Sequence, residues 1–124
     1  VVNIMGDAAI GMAGMDIETA VRLKIPVLTI VLNNHVLSGY SRNYPVATER
    51  YGFTNLYGAY AEVAKALGGY GERIEDPNDI GPAIGRAQES MAMGCPALLE
   101  IMTKEENRLS RYDEGETQGQ KPGT

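Results

Sequence analysis

Tryptophan is absent from this chain, and phenylalanine, histidine and cysteine occur once each. The lone cysteine, Cys95, cannot form an intrachain disulfide, which points to a reducing, cytoplasmic setting. It stands just ahead of an apolar run and reads as a core or loop thiol; no base is identifiable that would make it a nucleophile. Basic residues are in deficit, 11 against 16 acidic ones, for a net charge of −5. That balance argues against a nucleic-acid or acidic-membrane partner, even though tyrosines and the arginines Arg42 and Arg50 cluster between Leu37 and Tyr57. No apolar run reaches the roughly 18 residues that a membrane span needs, and no signal peptide is legible. The chain opens on Val1, without methionine and already inside an apolar run, and reads as a piece of something longer.

What is present is ordinary for one globular domain. The 124 residues are 44% hydrophobic and 22% charged, and a chain of this size buries roughly two-thirds of its unfolded surface. Val1 to Met5 reads as a strand ended by Gly6. Asp16 to Lys24 reads as a helix, with Ile17, Ala20 and Val21 at helical spacing and Pro26 beyond. "VLTIVLN", Val27 to Asn33, is β-branched and nearly all apolar, as in a strand covered on both faces. Leu37 to Tyr57 reads mostly as an irregular loop, either a lid or a packed surface segment. Ala59 to Gly68 is a helix with a glycine stop, and "GYGERIE" is a short strand. A helix is expected from about Asp79 to Met93, and "PALLEIM", Pro96 to Met102, is a last buried strand. After Thr103 the chain is polar and charged, and Glu105 and Glu106 read as part of a solvated tail. Strand and helix alternate, so the fold class is α/β with a mainly parallel sheet.

The chemistry gathers in "NIMGDAAIGMAG", Asn3 to Gly14. Small residues let a ligand approach the backbone closely, and the carboxylate of Asp7 beside them suits a cation. Ligands of open α/β sheets bind beyond the carboxyl ends of the strands. Asp7 lies just past the first strand, and Asn33 and Asn34 end the next. Adjacent parallel strands lie about 4.8 Å apart, so Asp7 and Asn34 can share one ion if their strands are neighbours. Carboxylate and amide oxygens are hard ligands that suit Mg²⁺, which also takes phosphate oxygens. The residues after Asp7 would then offer backbone N–H groups to those phosphates. By itself, Asp7 could equally cap the following turn, Asn33 reads as a support of its turn, and His35 reads as a solvated loop residue, with a contact beside the cofactor as the alternative. No G-x-G-x-x-G and no G-K-[ST] is present, which excludes a Walker loop.

"GDAAIGMAGMDIETAVRLKIPVLTIVLNN" resembles the thiamine diphosphate signature, GDG, a spacer of about 25 to 27 residues and NN. "YAEVAKALGGYGERIEDPNDIGPAI" and "CPALLEIMTKEEN" resemble the end of the acetolactate synthase and 2-oxoacid decarboxylase group. The resemblance runs from Val1 to about Asn107. It implies a partial thiamine diphosphate-binding domain over residues 1–107, incomplete at its N-terminal side, with helices on both faces of an open parallel sheet and a polar tail over 108–124. It also implies that Asp7, Asn34 and the carbonyl of Val36 hold Mg²⁺, and that Gly6, Ala8 and Ala9 lie beside the cofactor's diphosphate. The third motif position is Ala8 rather than glycine, which costs about 1 kcal/mol or more if φ is positive there and nothing if it is negative.

The activity so implied is decarboxylation or carboligation of a 2-oxoacid, with the cofactor ring storing electrons. A sheet cut off at its first strands leaves an unpaired edge, from which a homo-oligomer is expected. In the family, the glutamate that activates the cofactor comes from another domain, and the apolar residue that bends it lies upstream. The resemblance therefore assigns no catalytic side chain to this chain and implies that it is inactive alone. The alternative is a non-catalytic remnant or assembly module that keeps the fold.

Overall fold

The computed structural model describes residues 1–105. Its centre is a four-stranded sheet in the order β1-β2-β4-β3, formed by β1 (Val2–Gly6), β2 (Leu28–Asn33), β4 (Ala97–Met102) and β3 (Tyr70–Ile74). Every pairing is parallel, with Met5 opposite Val31, Ile30 opposite Leu99 and Gly71 opposite Leu98. Parallel strands need crossovers, and the helices provide them. Between β1 and β2 run α1 (Asp7–Ala13) and α2 (Asp16–Arg22). The longer path from β2 to β3 holds α3 (Tyr40–Asn43), α4 (Pro45–Tyr51) and α5 (Tyr60–Ala66). A 3-10 turn at Pro77–Asp79 leads into α6 (Ile80–Ala92), which returns the chain to β4.

Successive strand residues face opposite sides, and each side has its own core. On one side Leu28, Ala97 and Leu99 pack with Ile74 and with Ala83 and Ala87 of α6. On the other, Val31 and Leu98 pack with Ile10 of α1 and with Ala61 and Ala64 of α5. Burying a large aliphatic side chain such as Leu98 or Leu99 contributes about 1.5–3 kcal/mol. The alanines matter for the opposite reason: they bring the helix backbones close to the sheet. The closest approach is at Gly71, where an added Cβ would lie 2.0 Å from the carbonyl oxygen of Ala61.

Most of the expected elements are present, with ends shifted by a residue or two. Two segments differ. Residues 7–13, expected as a small-residue stretch beyond the strand, are helical from Asp7 onward. Ala, Ile and Met are adequate helix formers, and only the interior Gly11 argues against a helix. The expected irregular stretch between Leu37 and Tyr57 contains α3 and α4. Pro45 stands in the first turn of α4 and Gly52 closes it at φ 56°, the usual division of labour between those residues at helix ends. The tail expected over 108–124 lies outside the described residues. Among the described residues, no helix is long and apolar enough to cross a membrane.

The helix α6 does not reach across the whole of its side. Val2 and Ile4 of the edge strand β1 remain 60% and 63% exposed, and Leu32 on β2 is exposed beside them. Their register partners Leu28 and Ile30 belong to the α6 side, so the three make one bare apolar strip.

The approach at Gly71 gives a test of the packing. Gly71→Ala forces the backbone of α5 away from β3, and its expected cost is about 3 kcal/mol or more, the upper part of the range for overpacking. Urea denaturation of the variant should show the loss as a lower midpoint at unchanged slope.

Candidate functional site

Parallel pairing sends the carboxyl ends of β1, β2 and β4 to one edge, and three segments meet there. The first is Gly6–Ala8, where β1 passes directly into α1. Gly6 is the N-cap, at φ −83° and ψ 167°, a conformation open to any residue. Apart from its two chain neighbours, an added Cβ on it would meet no atom of the described residues within 4 Å. Neither the backbone nor the neighbours of Gly6 require glycine; the missing side chain leaves free space at the strand end.

Asp7 follows, only 4% exposed. Its Oδ1 accepts the N–H of Ala8 at 2.9 Å, and its Oδ2 accepts the backbone N–H of His35 at 2.8 Å. The first bond is local, within the first turn of α1, and is not an N-cap bond, since the N-cap is Gly6. The second joins the end of β1 to the turn after β2. Each oxygen retains a lone pair for a further partner.

That turn is the second segment. His35 lies at φ 60°, the left-handed region that costs a non-glycine residue about 1 kcal/mol or more. Its N–H is shared between Asp7 and Oδ1 of Asn33, the latter at 3.0 Å, so Asn33 supports the turn as its sequence position implies. Asn34 Oδ1 accepts the N–H of Val36 at 3.0 Å, and Asn34 Nδ2 donates to Ser38 Oγ at 2.9 Å. Val36 bridges Asn55 in antiparallel fashion. The bonds of that bridge run from Leu37 N–H to the Thr54 carbonyl and from Leu56 N–H to the His35 carbonyl. The Val36 N–H and carbonyl are therefore turned away from Asn55, and the carbonyl remains available as an oxygen ligand.

The reading of His35 as a solvated loop residue needs correction. The ring is half-buried, and its Nδ1 is buried without a hydrogen-bond partner among the described residues. Two acceptors pull the His35 backbone inward, and the side chain goes with it. Cys95 is a loop thiol, with Sγ near the carbonyl oxygens of Gly68 and Pro96 at 3.8 and 3.6 Å.

The third segment follows β4. The N–H of Thr103 donates to the carbonyl of Asn33 at 2.8 Å, and Lys104 comes next. Together the three segments line an open cleft of about 580 Å³ that includes Gly6, Asp7, Ala8, Asn34, Val36 and Lys104. Five of the six residues expected beside a cofactor thus share one cleft. Ala9 lies one step further into α1 and does not line it. Thr103, Lys104 and Tyr40 also line it and were not anticipated. The signal for Lys104 was legible: it is the first cation past a strand whose parallel partners end at the same edge. Asp16 lies elsewhere, lining a separate, mainly apolar cavity of about 200 Å³ with Ile17, Ala20 and Thr29.

Tyr60, at the start of α5, registers the charges behind the cleft. Burial first, then the negative charges of Asp7 and Glu100, hold its phenol above the ordinary tyrosine value. The hydroxyl stays neutral through the physiological range.

A parallel sheet with one carboxylate and neutral oxygens at its carboxyl edge, beside a cleft carrying a cation, defines an α/β domain built for an anionic ligand or cofactor. The chain belongs to the thiamine pyrophosphate enzymes: residues 1–101 match the family described as "Thiamine pyrophosphate enzyme, C-terminal TPP binding domain". Thiamine pyrophosphate, that is thiamine diphosphate, is the cofactor of this domain. Similar proteins include an acetolactate synthase large subunit of Mycobacterium tuberculosis, 36% identical over 113 residues that span 83% of this chain and 19% of that protein. A 2-hydroxyacyl-CoA lyase of Oryza sativa is 32% identical over 110 residues, spanning 82% of this chain and 18% of its own length. The fold is shared with a thiamine diphosphate-dependent 4-hydroxybenzoylformate decarboxylase of Rhodococcus jostii, at a TM-score of 0.70 and 21% identity over 87% of this chain and 20% of that one. The chain spans about a fifth of the length of these relatives.

The departure at Ala8 can be judged from the geometry. Ala8 is in the first turn of α1, and among the described residues only Lys24 and His35 combine a side chain with positive φ. Alanine is therefore at ease in this backbone. Restoring the motif glycine by Ala8→Gly should lower stability by up to about 1 kcal/mol and leave cofactor affinity unchanged. Paired denaturation and calorimetry check this; a clear gain in affinity would show that the methyl group obstructs the diphosphate.

Proposed function

We propose that this chain anchors thiamine diphosphate through one Mg²⁺ ion, as part of a 2-oxoacid decarboxylase or carboligase resembling acetolactate synthase. The observation that carries the reading is the bond from His35 N–H to Asp7 Oδ2 at 2.8 Å. It ties the only carboxylate that lines the cleft among the described residues to the turn that bears Asn34 and Val36. Asp7 would supply a carboxylate oxygen, Asn34 its Oδ1 and Val36 its carbonyl. These are three hard oxygens with a single formal charge among them. Such a set leaves a divalent cation positive enough to attract phosphate, and Mg²⁺ usually combines one or two carboxylates with phosphate oxygens and water. No group of three or more His, Cys, Asp or Glu side chains suited to a metal occurs among the described residues, which fits an ion completed by its ligand rather than enclosed by protein.

The space beside Gly6 would receive the diphosphate, Ala8 lines the cleft in the first turn of α1 with Ala9 one step further in, and Lys104 adds a positive charge at the cleft. When bound, thiamine diphosphate supplies the electron sink for the decarboxylation of a 2-oxoacid. This chain's share of the work is to bind and orient. Asp7 would be committed to the metal, and Asp16 and Glu18 lie on α2; the resemblance implies that the acid that starts proton transfer to the cofactor is supplied by another domain. The lone thiol fits a reducing, cytoplasmic setting.

The reading is tested by Asp7→Ala. With the purified protein, calorimetric titration of thiamine diphosphate should depend on Mg²⁺, and the variant should lose at least about tenfold in that Mg²⁺-dependent affinity, as loss of even a supporting residue does at metal sites. Affinity equal to wild type in a folded variant would remove Asp7 from the site.

Assembly follows from β1. Among the described residues, its outer edge has no strand partner and its α6 side is bare at Val2 and Ile4. An edge of this kind pairs readily with another chain, and we propose a homo-oligomer in which a second copy covers it. Sedimentation should give a dimer or larger species, whereas a monomer at high concentration would contradict the proposal.

A further inference from the structure

Glu100 is buried at 0% exposure in the middle of β4, and none of the roles above uses it. A carboxylate taken out of water is costly unless hydrogen bonds replace its hydration. Two donors do so. The backbone N–H of Ala61, in the first turn of α5, reaches Oε2 at 2.9 Å. Nδ2 of Asn33, itself 0% exposed, reaches Oε1 at 2.7 Å.

The second bond has a directional consequence. An amide side chain has nearly the same shape with its oxygen and nitrogen exchanged, so shape alone does not decide which end Asn33 turns to the site. Glu100, when ionised, only accepts. It therefore takes the NH₂ of Asn33, which also makes a longer contact of 3.5 Å to the Gly58 carbonyl, and Oδ1 is left facing the other way, where it accepts the N–H of His35 at 3.0 Å. That N–H also goes to Asp7 Oδ2. A continuous path of hydrogen bonds thus runs from the start of α5 through Glu100 and Asn33 to the left-handed residue between Asp7 and Val36.

We propose that Glu100 is a positioning residue of the cofactor site: it orients the Asn33 amide, which holds the His35 turn and so keeps the oxygens of Asp7, Asn34 and Val36 on one edge. The inference rests on the reading of those oxygens as the metal site. Glu100 touches neither metal nor cofactor, and its effect is transmitted through Asn33.

The test exchanges donor and acceptor. In Glu100→Gln the new amide can accept from Ala61 N–H or from Asn33, and its NH₂ then faces the remaining donor. In Asn33→Asp two carboxylates oppose each other. The double variant Asn33→Asp/Glu100→Gln restores every bond but the long one to the Gly58 carbonyl at 3.5 Å: the Gln oxygen accepts from Ala61, its NH₂ donates to Asp, and the second Asp oxygen accepts from His35. Thiamine diphosphate with Mn²⁺, followed by electron paramagnetic resonance, measures the site, and amide NMR follows the His35 N–H. Each single variant should weaken Mn²⁺-dependent binding about tenfold and shift the His35 resonance, and the double variant should return to within about threefold of wild type. A merely stabilising role for Glu100 predicts lower thermal stability with unchanged affinity and an unmoved His35 signal in the folded Glu100→Gln protein; that result overturns the proposal. So does a folded double variant that fails to recover. In the wild-type protein the Asn33 side-chain NH₂ should exchange slowly with solvent, and exchange at the rate of a free amide overturns the proposal whether or not any variant folds. If wild-type protein binds no Mn²⁺ with the cofactor, the metal reading fails, and the His35 and Asn33 signals still decide the role of Glu100.

Discussion

A parallel strand cannot follow its neighbour through a tight turn, and most features of this chain follow from that constraint. Each return to the sheet needs a crossover, so the strands are separated by helices and both faces of the sheet are occupied. With all four strands in one direction, their carboxyl ends lie along a single edge. Asp7, Asn34 and Lys104 are far apart in the chain and line one cleft because each follows the end of a parallel strand. The register Gly6 opposite Leu32 opposite Ile101 brings those ends level, and the cleft is the space beyond them.

The same constraint explains where small residues are needed. A sheet with helices on both faces buries its central strands twice, and the tightest contacts are between backbones. Gly71 is glycine because α5 crosses β3 at that point, and Ala61, Ala64, Ala83 and Ala87 are alanine because they face the sheet from the two sides. Gly6 is not explained by packing: nothing among the described residues approaches it, as is also true of Gly11, Gly81 and Gly85. Two glycines with the same composition signal thus differ once their surroundings are known, and of the two close packing requires only Gly71.

Much of this was legible in the sequence. The β-branched run from Val27 to Asn33 and the apolar run from Pro96 to Met102 read as buried strands, and the spacing of Asp7 and Asn34 pointed to one shared edge. The short helices α3 and α4 escaped notice because a four- and a seven-residue helix hold too few turns for a periodic pattern, although Pro45 and Gly52 marked the ends of α4. The conformation of Ala8 was open because a backbone angle is not written in residue identity. The side-chain position of His35 depended on two acceptors, one of them 28 positions away. Glu100 was the least legible. A glutamate in an apolar strand looks like an outward-facing residue, and its partner Asn33 is 67 positions earlier. Local patterns report which residues are buried far better than which distant residues meet.

Burying Glu100 raises a question of economy, since an apolar residue at that position would fill the space without desolvating a charge. Replacing buried charges with apolar residues is often neutral or stabilising, so stability alone does not account for a carboxylate there. The donors around it do. Ala61 N–H belongs to the first turn of a helix and has no intrahelical acceptor, and Asn33 must present an oxygen to the strained turn at His35. An apolar side chain would leave the first donor unsatisfied and the second with only its long contact of 3.5 Å to the Gly58 carbonyl, at a cost of about 1–3 kcal/mol for a buried donor without a partner. One carboxylate meets both requirements, because it only accepts and has two oxygens aimed in different directions. The geometry at the edge of the sheet, where Asp7 and the turn after β2 must meet within hydrogen-bonding distance, is in this way continuous with a charge buried well behind it.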